Sequence, residues 1–575
     1  MSISLTIDGN RVSVPEHTSL LAAAAAAHIL IPTLCWNEDL VPRGACGMCI
    51  VKVVGQEGYK RSCVTEAENG MSVLTSTPEI RAIRRNILEL VLAAHPADCL
   101  QCIKHGKCEL QTLAERFEIR DLMYDRYTRG LPLDQTSQGI VRDMNKCIGC
   151  GRCVEICNEV QTVGSIFFLG RGADTIVAPA IGKSMGDSVC VNCGQCVVYC
   201  PVGALYEREQ IDEVWSAIHD PHKIVVSQIA PSIRVSIGEE FGLDPGKLCI
   251  GKLYTALRAI GVDVVFDTNF SADLTIMEEG TELLERIREG GPFPLITSCS
   301  PGWIKFGETF YPELLEHVSS CKSPQQMLGA LIKTYYAAQR GIDPQRIVSL
   351  SIMPCTAKKF EASRPEMKAS GFRDVDYVLT TREIARMFRE AGIDFADLPS
   401  SPPDPLLSGY TGAATIFGAS GGVMEAALRT AYELATGKTL EKLDFTDVRG
   451  MQGVKEATVD IDGLPVRVAV ANGLSNARKI LDFVSDAKRR KEPSYHFIEI
   501  MACAGGCIGG GGQPLPNTLA MRRMRMEGLY EEDKGLPLRK SHQNPEIKEV
   551  YAAFLEKPGS ELAHRFLHTT YVDRS

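Results

Sequence analysis

A run of four cysteines occurs twice in this chain, and no other feature restricts its fold as much. "CIGCGRCVEIC" supplies Cys147, Cys150, Cys153 and Cys157, and "CVNCGQCVVYCP" supplies Cys190, Cys193, Cys196 and Cys200. Both read C-x2-C-x2-C-x3-C. That spacing lets three thiolates wrap one corner of a cubane while the fourth reaches a second cluster. The repeat therefore predicts two 4Fe-4S clusters, one on Cys147, Cys150, Cys153 and Cys200, the other on Cys190, Cys193, Cys196 and Cys157. Paired zinc sites, the competing reading, want two C-x2-C pairs at longer separation.

The remaining cysteines extend the theme. Of 21 in 575 residues, fifteen lie between Cys35 and Cys200, which leaves Cys249, Cys299, Cys321, Cys355, Cys503 and Cys507. The opening "MSISLTIDGN" lacks a charged region followed by an apolar stretch, so no signal peptide is read there. The apolar run "LLAAAAAAHILIPTLCW" is broken by His28 and Pro32, too short to cross a bilayer, and reads as a buried helix. The expected location is the cytoplasm, with no membrane partner, where thiols stay reduced and clustered cysteines bind metal instead of pairing. A net charge of −9 supplies no basic field for nucleic acid.

Five segments follow from texture and spacing. Residues 1–78 open on alternating Ile3, Leu5 and Ile7 with a hairpin turn at Asp8-Gly9, then carry Cys35, Cys46, Cys49 and Cys63 as C-x10-C-x2-C-x13-C. A β-hairpin followed by a helix and four such cysteines resembles a 2Fe-2S ferredoxin of β-grasp type, with a longer first gap than the plant spacing. Residues 79–125 are mainly helical and carry His95, Cys99, Cys102 and Cys108, a spacing that suits a 4Fe-4S cluster with one imidazole and three thiolates. His105 sits inside that loop and reads as surface. After a turn-rich linker, residues 138–208 hold the doubled motif as a bacterial-type ferredoxin domain. From 209 to 518, apolar runs such as "HKIVVSQIAPS", "IVSLSIMPC" and "YHFIEIMAC" alternate with helical patterns, which predicts an α/β domain with largely parallel strands. Residues 519–575 form a charged, helical tail.

In the α/β domain, three cysteine motifs each follow an apolar run: "TSCSPGW" (297–303), "MPCTAKKFE" (353–361) and "EIMACAGGCIGGGGQP" (499–514). Strand ends are where α/β folds build their sites. Cys355, Cys503 and Cys507 offer three thiolates for another cluster. The glycines at 505, 506 and 509–512 permit close approach of backbone to an inorganic group. No Gly-Lys-Ser/Thr follows, so this is not a phosphate loop.

These three segments resemble the signature motifs of the FeFe-hydrogenases, and the resemblance extends over nearly the whole chain. It is closest to the hydrogen-converting subunit of multisubunit, NAD(P)-linked electron-bifurcating enzymes and to the monomeric clostridial type. The resemblance implies reversible H2 oxidation and proton reduction in an anaerobic setting. It implies an H-cluster: a 4Fe-4S cubane joined through one cysteine to a diiron unit carrying CO, CN and azadithiolate. Electrons would pass through one 2Fe-2S and three accessory 4Fe-4S clusters. By the same resemblance Cys355 and Cys503 match cubane ligands, Cys507 the bridging cysteine, and Cys299 the thiol that hands protons to the active group. Glu279, Ser319, Glu282 and Arg286 match the proton route, and Lys358 the donor to a cyanide. Glu279, Glu282 and Arg286 are spaced i, i+3 and i+7, one helix face. Pro231, Ser232, Gln325, Met353, Phe417 and Met501 match the pocket lining. The implied partners are a flavin- and NAD(P)-binding iron-sulfur subunit with a small 2Fe-2S subunit, or a soluble ferredoxin, together with maturation factors. An iron-sulfur arm of a respiratory or formate-dehydrogenase-like complex would share the first two modules but not the three C-terminal motifs.

One position departs from the family. Where the first motif has a second cysteine as fourth cubane ligand, this chain has Ser300. Serine could ligate, although a hydroxyl is far less acidic than a thiol and matches a soft cluster poorly. The cluster could be open or lost, as in an inactive paralogue or a redox or H2 sensor. Or another thiol could substitute, and the expectation is Cys321, two residues beyond Ser319 and four before Gln325. Cys249 has no such context and reads as a small buried residue.

Overall fold

A computed structural model describes residues 2–461 and 463–575. The chain divides into two compact units: Met1–Val160, Gly164–Ser188 and Tyr199–Tyr206 form one, and Gln161–Val163, Val189–Val198 and Glu207–Ser575 the other. The segment expected as a single 138–208 module is thus shared, with Val189–Val198 belonging to the second unit.

In the first unit, β1 (Ser2–Ile7) and β2 (Asn10–Pro15) pair antiparallel with Ile7 opposite Asn10. Asp8 (φ 47°) and Gly9 (φ 86°) make the two-residue turn, both left-handed as such hairpins require. Helix α1 (Leu20–Ala26) follows, then β3 (Ile50–Val53), β4 (Lys60–Arg61) and β5 (Ser72–Leu74). The sheet runs β2-β1-β5-β3-β4 over a core that includes Leu5, Ile7, Leu20, Ala24 and Val51. The apolar run expected as one buried helix ends early, at Ala26. His28 takes a left-handed φ of 59°, and Pro32 beyond it cannot continue a helical ladder. Helix α2 (Pro78–Ala93) starts on Pro78, with the Thr77 hydroxyl accepting from the Ile80 N–H at 3.3 Å, and α3 (Glu109–Arg116) starts beside Cys108. Past the first cysteine run, β6 (Phe167–Leu169) and β7 (Ile176–Ala178) form a short antiparallel hairpin.

The second unit is α/β. Its strands are β8 (Ile224–Ile229), β9 (Val264–Asp267), β10 (Leu295–Ile296), β11 (Ile347–Met353), β12 (Tyr377–Thr380), β13 (Val454–Ile461), β14 (Leu464–Asn472) and β15 (Phe497–Met501). They form two sheets, β9-β8-β11-β12 and β10-β15-β14-β13. Every pairing is parallel except the β13–β14 hairpin. All seven residues of β11 are buried, the mark of a parallel strand covered on both faces, whereas β13 alternates as a half-covered edge does. Helix α4 (Thr268–Glu289) leaves β9 under an Asp267 cap and ends at left-handed Gly290. The other helices that bear on the site are α5 (Pro301–Phe310), α6 (Ala357–Ala362), α7 (Gly422–Thr436), α8 (Leu519–Gly535) and α9 (Glu561–Leu567). Among the described residues, no helix is long and apolar enough to cross a membrane.

Four parallel strands deliver the site. β8, β10, β11 and β15 end at Ile229, Ile296, Met353 and Met501, and the chain then reaches Pro231, Cys299, Cys355 and Cys503 within one to three residues. The tail is charged, as its composition suggests, but key charges are buried. Arg525 on α8 pairs with Glu239, and Asp533 pairs with Arg429 of α7. Arg234, just past β8, binds both oxygens of Asp267 at 2.8 and 2.9 Å and Glu532 of α8 at 2.7 Å. One guanidinium therefore ties a strand end to the tail in the interior. Removing it strands two buried carboxylates, a change that costs about 3–5 kcal/mol. Arg234→Met is expected to lower the thermal midpoint of the cluster-loaded chain sharply, with Arg234→Lys recovering only part of the loss.

Candidate active site and metal centres

The Cys46 N–H donates to Cys35 Sγ at 3.4 Å, and Cys49 Sγ lies 3.3 Å from Cys63 Sγ. Hydrogen bonding between thiols pulls Cys35 down to about 5 and Cys49 to about 6, while the same bonds push Cys46 and Cys63 up. Burial, then the charges of Cys150, Cys200 and Cys147, drive the Cys153 thiol up, and Cys150 is pushed to about 12 by burial and Cys200. Cys200 comes back to the first run because the Asp143 N–H bonds the Ala204 carbonyl at 2.8 Å. Thiols packed this way stay protonated until a cation arrives, and iron supplies that charge. At the third group, burial lowers the His95 pKa, and His95 Nδ1 is a buried ring nitrogen with no hydrogen-bond partner. Burial and the nearby Cys102 and Cys99 raise Cys108. A buried imidazole nitrogen without a partner fits a metal ligand.

In the second unit the strand ends open on one cavity enclosing about 780 Å³, its mouth included, with mostly apolar walls. Cys299, Ser300, Cys355, Cys503 and Cys507 all line it, together with Lys358, Pro231, Gln325, Met353, Phe417 and Met501. Burial raises Cys355, Cys503 and Cys507, with Cys507 pushed up to about 12 by burial and by Cys355. Three convergent thiols of this kind, with no charge of their own to spare, fit a cubane's corner. Lys358 Nζ reaches into the wall from α6, held by the Cys299 carbonyl at 3.1 Å and Glu361 Oε2 at 2.9 Å.

Behind Cys299 runs a polar chain. Glu279 Oε1 accepts from the Ser298 N–H and hydroxyl, both at 3.3 Å, and its Oε2 has no partner. The Ser319 hydroxyl donates to Glu282 Oε2 at 2.8 Å, and Arg286 donates to Glu282 Oε1 at 2.7 Å. These contacts form two groups, Ser298 with Glu279 and Ser319 and Arg286 with Glu282, and the Arg286 side chain is 12 % exposed. Burial first, then the Glu282 charge, raises Glu279 to about 8. Burial likewise raises the Cys299 thiol, which keeps it protonated.

Three expectations are corrected. Cys321 does not line the cavity: it is fully buried in an apolar core with Met327, Leu331 and Phe566, and its carbonyl accepts from the Ser298 hydroxyl at 2.6 Å. Sequence proximity to Ser319 brought it to the proton chain and not to the thiols. Ser300 does line the cavity, its Oγ accepting from the Ala502 N–H at 3.2 Å. Ser232 is buried off the wall, its Oγ accepting from Gln513 Nε2 at 3.2 Å, and only Pro231 of that pair faces inward. The glycine run serves backbone packing more than it cradles an inorganic group. A Cβ on Gly510 would strike the Pro354 carbonyl, and one on Gly511 the Cys193 carbonyl, although Gly506 and Gly510 also line the cavity. Sequence reasoning missed Ser298, Glu361 and Gln195. Glu361 is three residues after Lys358 on one helix, so an i, i+3 pair was there to find. Nothing local marks Gln195, whose partners are more than 300 residues away.

Comparison with known proteins agrees with this geometry. Residues 223–511 match the iron only hydrogenase large subunit, C-terminal domain, and 519–574 the iron hydrogenase small subunit. Residues 1–78 match a 2Fe-2S iron-sulfur cluster binding domain, 84–122 the iron-sulfur binding region of NADH-ubiquinone oxidoreductase-G, and 137–206 the ferredoxin-like domain of NADH-quinone oxidoreductase subunit 3. The chain is 49% identical to the NADP-reducing hydrogenase subunit HndD of Solidesulfovibrio fructosivorans, covering 100% of this chain and 99% of that one. It is 41% identical to iron hydrogenase 1 of Clostridium pasteurianum, over 99% of each. A variant of FeFe-hydrogenase HydA1 from Chlamydomonas reinhardtii superposes with a TM-score of 0.56 at 42% identity, over 63% of this chain and 98% of that one.

The raised Glu279 has a consequence for stability. Its usual value is near 4.5 and its folded value about 8, so between them the folded chain holds a proton that the unfolded chain has released. The stabilisation this side chain gives is complete below about 4.5 and is lost as pH rises through 8. Glu279→Gln, permanently neutral, should remove that dependence. The thermal midpoint of wild type minus that of the variant is expected to fall steadily from pH 5 to pH 9.

Proposed function

This chain belongs to the iron-only hydrogenases, and from that premise we propose which of its residues do what. It is an oxidoreductase that interconverts H2 with protons and electrons, and iron-sulfur clusters relay the electrons. The observation that carries the assignment of roles is the single apolar wall bearing Cys355, Cys503, Cys507, Lys358 and Cys299. Cys355, Cys503 and Cys507 would hold an H-cluster, a cubane with a diiron unit carrying CO, CN and azadithiolate. When bound, that group supplies heterolytic cleavage and formation of H2.

The protein's own part is proton handling and water exclusion. Cys299, kept protonated by burial, would hold a proton at Sγ on the cavity wall beside that group. Glu279 is the next carrier, and a carboxyl raised to about 8 can both take and give a proton near neutral pH. Ser298 fixes Glu279 from one side, and Ser319, Glu282 and Arg286 continue the chain outward. Lys358, oriented by Glu361, points an ammonium hydrogen at an anionic ligand, a charge-assisted contact. Pro231, Gln325, Met353, Phe417 and Met501 keep bulk water from the wall.

The accessory inventory we propose is one 2Fe-2S cluster on Cys35, Cys46, Cys49 and Cys63, one 4Fe-4S cluster on His95, Cys99, Cys102 and Cys108, and two on the doubled motif. HndD is a subunit of an NADP-reducing hydrogenase, and its identity over the full chain favours a flavin- and NAD(P)-binding partner with a small 2Fe-2S subunit over ferredoxin alone. Electron bifurcation, a cytoplasmic location, an anaerobic host and dependence on maturation factors belong to the same reading.

For the fourth cubane position we favour Ser300 over Cys321, because only Ser300 shares the wall with the other three. An oxygen ligand is a weaker match than sulfur for iron in a cluster. Ser300 is also what favours a redox or H2 sensor as the second reading. Infrared spectra of matured protein should show CO and CN bands, with H2 turnover lost in Cys299→Ala; bands without wild-type turnover would point to the sensor, and no bands would overturn the H-cluster. Ser300→Cys is expected to raise iron retention under mild chelation, and Cys321→Ala to leave iron content unchanged. The reverse pattern would return the ligand to Cys321.

A further inference from the structure

Gln195 lies in the middle of the second cysteine run, between Cys193 and Cys196, yet its side chain belongs to a different centre. Its Nε2 donates to Cys503 Sγ at 3.2 Å and to the Gly509 carbonyl at 3.0 Å. The side chain is buried, and a carbonyl can only accept, so the Gly509 contact fixes which end of the amide faces the sulfur.

The segment holding Gln195 has little freedom to shift. The Thr356 hydroxyl donates to the Asn192 carbonyl at 2.7 Å. A Cβ on Gly194, which has a left-handed φ of 71°, would collide with Thr356, and one on Gly511 would collide with Cys193 and Gly194. The Gly512 N–H in turn bonds the Pro354 carbonyl at 2.8 Å. Residues 192–195 are thus pinned to the loops that carry Cys355 and Cys503. Cys193 itself lines the cavity.

We propose that Gln195 is a positioning residue that sets the reduction potential of the cubane, by donating an amide hydrogen to the Cys503 thiolate from within the ligand run of the neighbouring 4Fe-4S cluster. The proposal rests on the cluster assignments above. Adding an electron makes a cluster and its thiolates more negative, and a fixed N–H donor stabilises that form more than the oxidised one. Hydrogen bonds to cluster sulfurs are among the factors that set such potentials. In a buried site no water takes over when the donor is lost. The same residue joins the run that holds Cys193 and Cys196 to Cys503 by a hydrogen bond, so donor loss should also slow electron entry.

The test uses the full chain carrying its iron-sulfur clusters but produced without maturation factors, so that the cubane is observed alone. Its midpoint is read by electron paramagnetic resonance during a redox titration. Gln195→Met keeps side-chain length and removes the N–H. The expected result is a shift of the cubane midpoint to more negative potential, with iron content and the other midpoints unchanged. An unmoved cubane midpoint at equal iron content overturns the proposal, and so does an equal shift of every cluster. Should Gln195→Met load less iron, Gln195→Glu tests the same point, since a carboxylate cannot donate and adds charge. A larger negative shift there supports the proposal, and no shift or a positive one overturns it. A wild-type chain with no cubane signal would overturn the cluster assignment itself, whereas a cubane with an unmoved midpoint removes only the role of Gln195.

Discussion

A thiolate cannot be buried alone. In a low-dielectric interior the charge must meet a cation or be given up as a thiol, and most cysteines of this chain sit where burial drives them toward the thiol. Cys153, Cys355, Cys503 and Cys507 are all raised this way. Much of the architecture answers that constraint. Short loops hold the sulfurs in groups, strand ends aim the last three at one wall, and apolar side chains close round them. Iron in such a group neutralises several thiolates together, so each site is coherent only as a set.

Proton handling uses the same low dielectric in the opposite sense. Burial that would disable a metal ligand gives Glu279 a value near neutrality, where a carrier is useful. The two uses are kept apart by a few residues of sequence: Ser298 bonds Glu279, Cys299 faces the cavity, and Ser300 stands with the thiols. One short stretch of chain therefore belongs to two kinds of chemistry.

What the sequence made legible follows from the range of each signal. Fixed cysteine spacings are local, and the structure brings Cys46 to Cys35 and Cys49 to Cys63 within one such run. Largely apolar runs such as Ile347–Met353 marked buried parallel strands, and the Asp8-Gly9 turn marked its hairpin. The misses were all long-range. Cys321 looked close to the site along the chain, but beyond the 3-10 turn Pro312–His317 the chain carries it into the core beside Leu331 and Phe566. Ser232 was one position from the wall, and in the 3-10 turn Pro231–Val235 the next side chain points about 120° away. The glycine run suggested an inorganic neighbour because a sequence cannot show that another loop's carbonyls occupy the space.

The glycine run has a consequence for how such enzymes diversify. Where Gly511 meets Cys193 and Gly194 without room for a methyl group, two segments some three hundred residues apart share one mould. An iron-sulfur cassette grafted from another protein would have to arrive with its Gly194, and the recipient would have to keep its glycines. A side chain at Gly511 would therefore disturb the second cysteine run and the Cys503–Cys507 loop together.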